Sequence, residues 1–212
     1  MSSLTIERVS LGVAGAPLFA PLDFSVDAGT VASVVGPSGS GKSSLLAYLC
    51  GTLAPEFETQ GRVLIGAEDL AGLPPEKRGL GILFQEPLLF PHLSVRGNLL
   101  FGLKDGGSRR ERRRIVDREL ETMGLGGFGG RDPATLSGGQ KARVALLRVL
   151  LAKPRALLLD EPFSALDVAT RARVRRLVFD EVRRRKLPAL LVTHDSGDIL
   201  DAGGCVFELT PP

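Results

Sequence analysis

The chain has 212 residues, 43% hydrophobic and 24% charged, with a formal net charge of +3, a globular composition with length enough for one sizeable core. No apolar run approaches the ~20 residues that span a bilayer, and "MSSLTIERVS" lacks the basic start and apolar stretch of a secretory signal. The two cysteines, Cys50 and Cys205, share no CxxC or metal-ligand spacing, which excludes a disulfide or zinc scaffold and predicts free thiols in a reducing compartment.

In chain order, "LTIERVSL" and "LDFSVDAG" read as short alternating strands, the second ending in a turn at Asp27 to Gly29. "TVASVV" is a β-branched buried strand, and "KSSLLAYLC" is a helix closed by Gly51. "GRVLI" and "GILF" are further strands, the latter predicted to end at Gln85. From Glu86 to about Ala152 the character turns to loop and helix. "ALLLD" and "ALLVT" are buried strands flanking a basic helix. Apolar strands alternating with helices predict an α/β fold with a parallel sheet covered on both faces.

Between the strand "TVASVV" and the helix lies "GPSGSGKS", a full match to G-x-x-x-x-G-K-[ST] in the context that motif requires. Gly36, Gly39 and Gly41 let backbone N–H groups curl around phosphates, and the helix start adds partial positive charge. Pro37, Ser38, Ser40 and Ser44 complete the predicted nucleotide-binding stretch. Lys42 is expected at the β- and γ-phosphates and the Ser43 hydroxyl on Mg²⁺. Asp160, at the tip of an apolar strand, suits the same Mg²⁺, and Glu161 is placed to act as general base on a water attacking the γ-phosphate. These residues predict hydrolysis of a nucleoside triphosphate.

"SRRERRRIVDR" carries six arginines, and Arg171 to Lys186 holds eight basic residues. Val116, Leu120 and Met123, and then Val174, Leu177, Val178 and Val182, recur at helical spacing between them, so both stretches read as helices with solvated basic faces. "SRRE", Ser108 to Glu111, has the spacing of a capping box. So does Ser137 to Gln140, within "LSGGQKAR", whose two glycines each cost roughly 1 kcal/mol against alanine inside a helix.

"LSGGQ" shortly before "LLLDEPFSALD", after a P-loop and a glutamine behind a strand, and followed by "VTHD", resembles the ATP-binding-cassette ATPases over about Leu4 to Asp195. "LFPHLSV", "GNLLFGL" and "PATLSGGQKARVALLR" are similar to bacterial importer subunits of the thiamine, polyamine and sulfate group. The resemblance implies one ATP-binding domain over 1–212, with an N-terminal antiparallel β-subdomain and a helical lobe inserted at approximately 87–152. It implies ATP as substrate, Gln85 on Mg²⁺ and the attacking water, "SALD" (Ser164 to Asp167) crossing a dimer interface, and His194 as a switch touching the γ-phosphate, its ring oriented by Asp195. Ser137, Gly138, Gly139 and Gln140 would cover the ATP of a second copy, the glycines allowing close approach. Ser137 would then leave its own helix cap for phosphate as the dimer closes.

The partners implied are a homodimer of cassettes, integral-membrane permease subunits facing the segment after Gln85, and an extracytoplasmic substrate-binding protein, at the cytoplasmic face of the inner membrane. An ABC-type ATPase acting on nucleic acid is the alternative that the arginine runs suggest; the chain carries neither heptads nor paired CxxC motifs, and no nucleic-acid partner is expected. Two departures from the family stand out. The aromatic side chain expected against adenine falls near Val13, where there is none, predicting modest ATP affinity and weak base selectivity. Only a short tail follows Asp195, so no C-terminal regulatory domain is expected.

Overall fold

The computed structural model describes residues 3–210. In chain order the elements are β1 (Leu4–Val13), β2 (Ala16–Pro17), β3 (Leu22–Val26), β4 (Val31–Val35), α1 (Lys42–Cys50), β5 (Phe57–Ile65), β6 (Glu68–Asp69), α2 (Pro75–Arg78) and β7 (Leu80–Leu83). Three helices follow, α3 (Val95–Gly102), α4 (Arg109–Thr122) and α5 (Gly138–Leu151). The chain then runs through β8 (Ala156–Asp160), α6 (Val168–Arg185), β9 (Ala189–Val192), α7 (Ser196–Ala202) and β10 (Val206–Glu208). Among the described residues no helix is long and apolar enough to cross a membrane.

The chain divides into two compact units. The first takes the chain up to Ile82, Arg155–Glu161 and everything from Phe179; the second takes Leu83–Pro154 and Pro162–Val178. In the first, β1 pairs antiparallel with β2, β3 and β5, and β5 with β6. Alternation along β1, reset by a bulge between Ile6 and Val9, sends Leu4, Ile6, Val9 and Leu11 inward. The second sheet runs β10-β4-β9-β8-β7, with β10, β4, β9 and β8 parallel to one another. Strands β4, β8 and β9 are buried on both faces, as "ALLLD" and "ALLV" require, and Leu45 and Leu49 of α1 join Leu158 and Leu190 in the same core. β7 stops at Leu83, two residues short of the Gln85 expected from the pattern.

One buried cation holds the far end of α1. Arg78, 7% exposed, donates to the carbonyls of Leu73, Tyr48 and Leu49, two of which are acceptors that a helix C-terminus leaves open. Burial lowers the pKa of this guanidinium, while the ionisable side chains of Tyr48, Cys50 and Asp69 oppose the shift. Gly51 closes α1 in the left-handed region, at φ 77.

In the second unit, α3 packs on α5 and α4 on both. Val116, Leu120 and Met123 of the α4 stretch are buried, and the capping box at Ser108 and Glu111 forms in both directions. Several arginines of the basic runs have structural partners. Arg112 donates to the carbonyls of Leu100 and Leu103, and Arg171 to those of Ser164 and Leu166. In the first unit, Glu181 is held ionised by Arg184 and Arg185 against the desolvation that opposes it.

Candidate functional site

The parallel sheet fixes the site. β4 runs directly into Gly36–Ser43, β8 ends on Asp160 and β9 ends two residues before His194, and these three strands are neighbours in the order β4-β9-β8. Asp160 lies in register with Val192, and the Glu161 N–H donates to the Val192 carbonyl. The glycine-rich loop, the acidic pair and the histidine therefore share the C-terminal edge of one sheet, the place where ligands bind in open α/β sheets.

The loop is shaped as an anion cradle. Gly41 adopts φ 91 at the start of α1, a backbone that costs glycine nothing, and no side chain caps the helix. The first N–H groups of α1 are thus left to a ligand, with no acidic side chain in that turn to oppose an anion. Lys42 Nζ donates to the carbonyls of Gly36 at 2.8 Å and Pro37 at 2.7 Å, which lays the ammonium back along the loop. Ser40 Oγ is buried without a hydrogen-bond partner among the described residues. Burial of that kind is costly unless a ligand or water satisfies it.

Glu161 and His194 form a second element. His194 Nδ1 stands 3.2 Å from Glu161 Oε1, with the imidazole largely exposed and the carboxylate mostly covered. Glu161 takes φ 43, a left-handed backbone that is strained for a side chain of this kind and recurs at functional sites. Asp195, expected to orient the ring, instead accepts from the N–H groups of Gly197 and Asp198 and caps α7; it is Glu161 that meets Nδ1. Thr193 donates to Asp198 Oδ2 and accepts from the Asp195 N–H, anchoring the turn on either side of His194. Burial raises the pKa of Asp160, the neighbouring Glu161 charge adds to the shift, and Lys42 opposes it.

A cavity of about 550 Å³ unites these parts: the loop from Gly36 to Ser44 forms one wall, Glu161 and His194 another, and Val13, Leu18 and Phe57 a third. Phe57 is the residue the sequence reading missed. Its only signal was the strand-like "FETQ" preceding "GRVLI", which extends β5 until Phe57 pairs with Val13. The Ser43 hydroxyl in the cavity wall and the Asp160 carboxylate next to Glu161 are oxygen groups of the kind that a hard cation takes as ligands. Among the described residues no group of three or more His, Cys, Asp or Glu is gathered to hold a metal by itself.

The other predicted residues belong to the second unit. Gln85 is exposed and lines, with Phe84, Gly138, Ala142 and Leu166, a small apolar cavity of about 100 Å³. Ser137 caps α5, accepting from the Gln140 N–H at 3.4 Å while Gln140 Oε1 accepts from the Ser137 N–H at 2.9 Å. Gly138 is exposed; Gly139 is buried against α6.

The sequence model of the ABC transporter family matches residues 19–164. An uncharacterized ABC transporter ATP-binding protein of Escherichia coli (strain K12), YnjD, is 47% identical over 196 residues, 92% of this chain and 90% of its own. The Fe(3+) ions import ATP-binding protein FbpC of Brucella abortus (strain 2308) is 40% identical over 208 residues, 98% of this chain and 58% of its own. The sulfate/thiosulfate import ATP-binding protein CysA of Mycobacterium bovis (strain ATCC BAA-935 / AF2122/97) is 44% identical over 192 residues, 89% of this chain and 53% of its own. The chain thus spans nearly all of the first relative and little more than half of the other two.

Proposed function

The chain belongs to the ABC transporter family, as an ATP-binding ATPase, and on that premise we propose that it energises the import of a solute through a membrane permease, from the cytoplasmic face of the membrane. Import as the direction draws on two relatives whose names are those of import systems. The cargo is the business of the permease and of an extracytoplasmic substrate-binding protein that delivers to it. Leu88 and Phe101, beyond Gln85 in the second unit, are exposed apolar side chains available to that permease.

The phosphates of ATP lie on the loop from Gly36 to Ser44, where the open N–H groups of α1 and the Lys42 ammonium meet them. Ser43 and Asp160 are the residues that would hold Mg²⁺, which would neutralise charge on the terminal phosphates. Glu161 takes the proton of the attacking water as its oxygen bonds to the γ-phosphorus and the bond to the bridging oxygen breaks, releasing ADP and phosphate. His194, against Glu161, holds the γ-phosphate side of the chamber. Two copies close head to tail, so that Ser137 to Gln140 of one cover the nucleotide of the other, with N–H groups of α5 facing phosphate.

One observation carries this reading: the P-loop, Glu161 and His194 line one cavity, the last two 3.2 Å apart. The test is Glu161→Gln. ATP affinity is expected to stay within about threefold of wild type while turnover falls by about 10²-fold or more. Turnover at the wild-type rate would remove the general base from Glu161.

A further inference from the structure

The nucleotide cavity has two chemically different ends. One is the cradle of N–H groups around Lys42; the other is formed by Val13, Leu18 and Phe57 and carries no polar side chain. A nucleoside triphosphate has the same division, an anionic chain and a flat heteroaromatic base. Once the phosphates lie on the loop, the base must rest against something at the apolar end.

The strand that reaches that end first offers no ring: "GVAGA", Gly12 to Ala16, has only small and aliphatic side chains. The ring comes from across the ladder. In the antiparallel pairing of β1 with β5, Val13 is the direct partner of Phe57. Directly opposed residues share a face of the sheet, with Cβ atoms about 5 Å apart. The position that the β1 register turns toward the cavity is therefore extended sideways by an aromatic side chain 44 residues later, Phe57, which is half-buried and lines the cavity.

This corner is held in place. The Gly15 N–H donates to Glu58 Oε1 at 3.2 Å, which ties the β1–β2 turn to the residue after Phe57. The Leu18 N–H donates to the Leu11 carbonyl at 2.8 Å. Leu18 and Phe19 come so close to the P-loop that a Cβ on Gly41 would lie 3.0 Å from the Phe19 ring and 3.3 Å from Leu18. The spacing between the apolar end and the phosphate cradle is thus set by packing.

We propose that Phe57 is the platform on which the base of the bound nucleotide stacks, with Val13 and Leu18 closing the apolar contact around it. The proposal rests on the reading of this cavity as the ATP site. It replaces the aromatic side chain expected near Val13 by one on the neighbouring strand, so the affinity loss expected from its absence does not follow. Base selectivity remains weak, because stacking tolerates every base and Val13, Leu18 and Phe57 offer no hydrogen bond to discriminate between them.

Titration calorimetry on the full chain tests this with three probes, ATP, GTP and inorganic tripolyphosphate, against wild type, Phe57→Tyr, Phe57→Leu and Phe57→Ala. The leucine and alanine variants are expected to bind ATP and GTP about tenfold or more weaker, and the tyrosine variant within about twofold of wild type. Tripolyphosphate, which has no base, is expected to bind all four alike. ATP affinity unchanged in Phe57→Ala would overturn the platform. So would a parallel loss of tripolyphosphate, which would show that Phe57 acts through the loop's folding. Wild type that holds tripolyphosphate but gains nothing from the base of ATP would overturn it as well, leaving the phosphate site standing. Wild type that binds none of the three would bring down the reading of the cavity itself.

Discussion

Gly139 is a glycine because of Thr170: a Cβ on Gly139 would lie 2.4 Å from Thr170 Cγ2, closer than packed atoms come. A Cβ on the neighbouring Gly138 would lie 3.3 Å from Leu166 Cδ2, a tight contact that a leucine end can relieve, so the start of α5 is fitted against the "SALD" turn and the first turn of α6, most strictly at Gly139. The second glycine of "LSGGQ", whose expected role was close approach to phosphate, is therefore also demanded by the packing of its own subunit. Gly139→Ala is expected to destabilise the chain by about 1–3 kcal/mol through overpacking. Thr170→Ser, which removes the offending methyl, is expected to restore most of that loss in the double variant. Urea denaturation of the four proteins measures the coupling; additive losses would contradict it.

The capping box at Ser137 makes a separate prediction. Its hydroxyl accepts from the Gln140 N–H, so Ser137→Ala is expected to cost about 1 kcal/mol in denaturant unfolding. In the Glu161→Gln protein trapped with Mg·ATP, Ser137 Oγ is expected to have turned from that N–H toward phosphate. A structure of the trapped form with the cap intact would contradict the exchange.

These local features were open to sequence reading because each is written in a few adjacent residues. "GPSGSGKS", "SRRE" and "SGGQ" specify a cradle and two capping boxes with no help from the rest of the chain, and all three form. Long-range relationships were closed to it. Phe57 reaches the cavity only through its register with Val13, and the strand-like "FETQ" says nothing by itself of that partner. Thr170 meets Gly139 across two helices, and Arg78 looks like any charged residue of "PEKRG" until α2 is seen placing it under α1. The His194 ring went to Glu161 rather than Asp195 because Asp195, at the start of α7, is taken up by the helix N–H groups beside it.

Asp160 sets stability against function. Burial, and then the charge of Glu161, push its carboxyl up from the usual 3.8, with Lys42 opposing. A carboxyl raised in the folded state lends its full stability below the unfolded value and loses it as pH rises through the folded value. Without added nucleotide, Asp160→Asn is therefore expected to melt higher than wild type at pH 7.5. The gap should narrow as pH falls toward 3.8, and ATP turnover should be lost. A lower Tm for the variant at neutral pH would contradict this assignment.

Everything proposed for transport depends on two copies of the chain completing one another's chambers, with the P-loop of one and the Ser137 helix of the other on the same nucleotide. Sedimentation of the Glu161→Gln protein with saturating Mg·ATP tests this most directly. The expected result is a species of twice the monomer mass that returns to monomer when ATP is exchanged for ADP. A protein that stays monomeric at every concentration while holding one ATP per chain would contradict it.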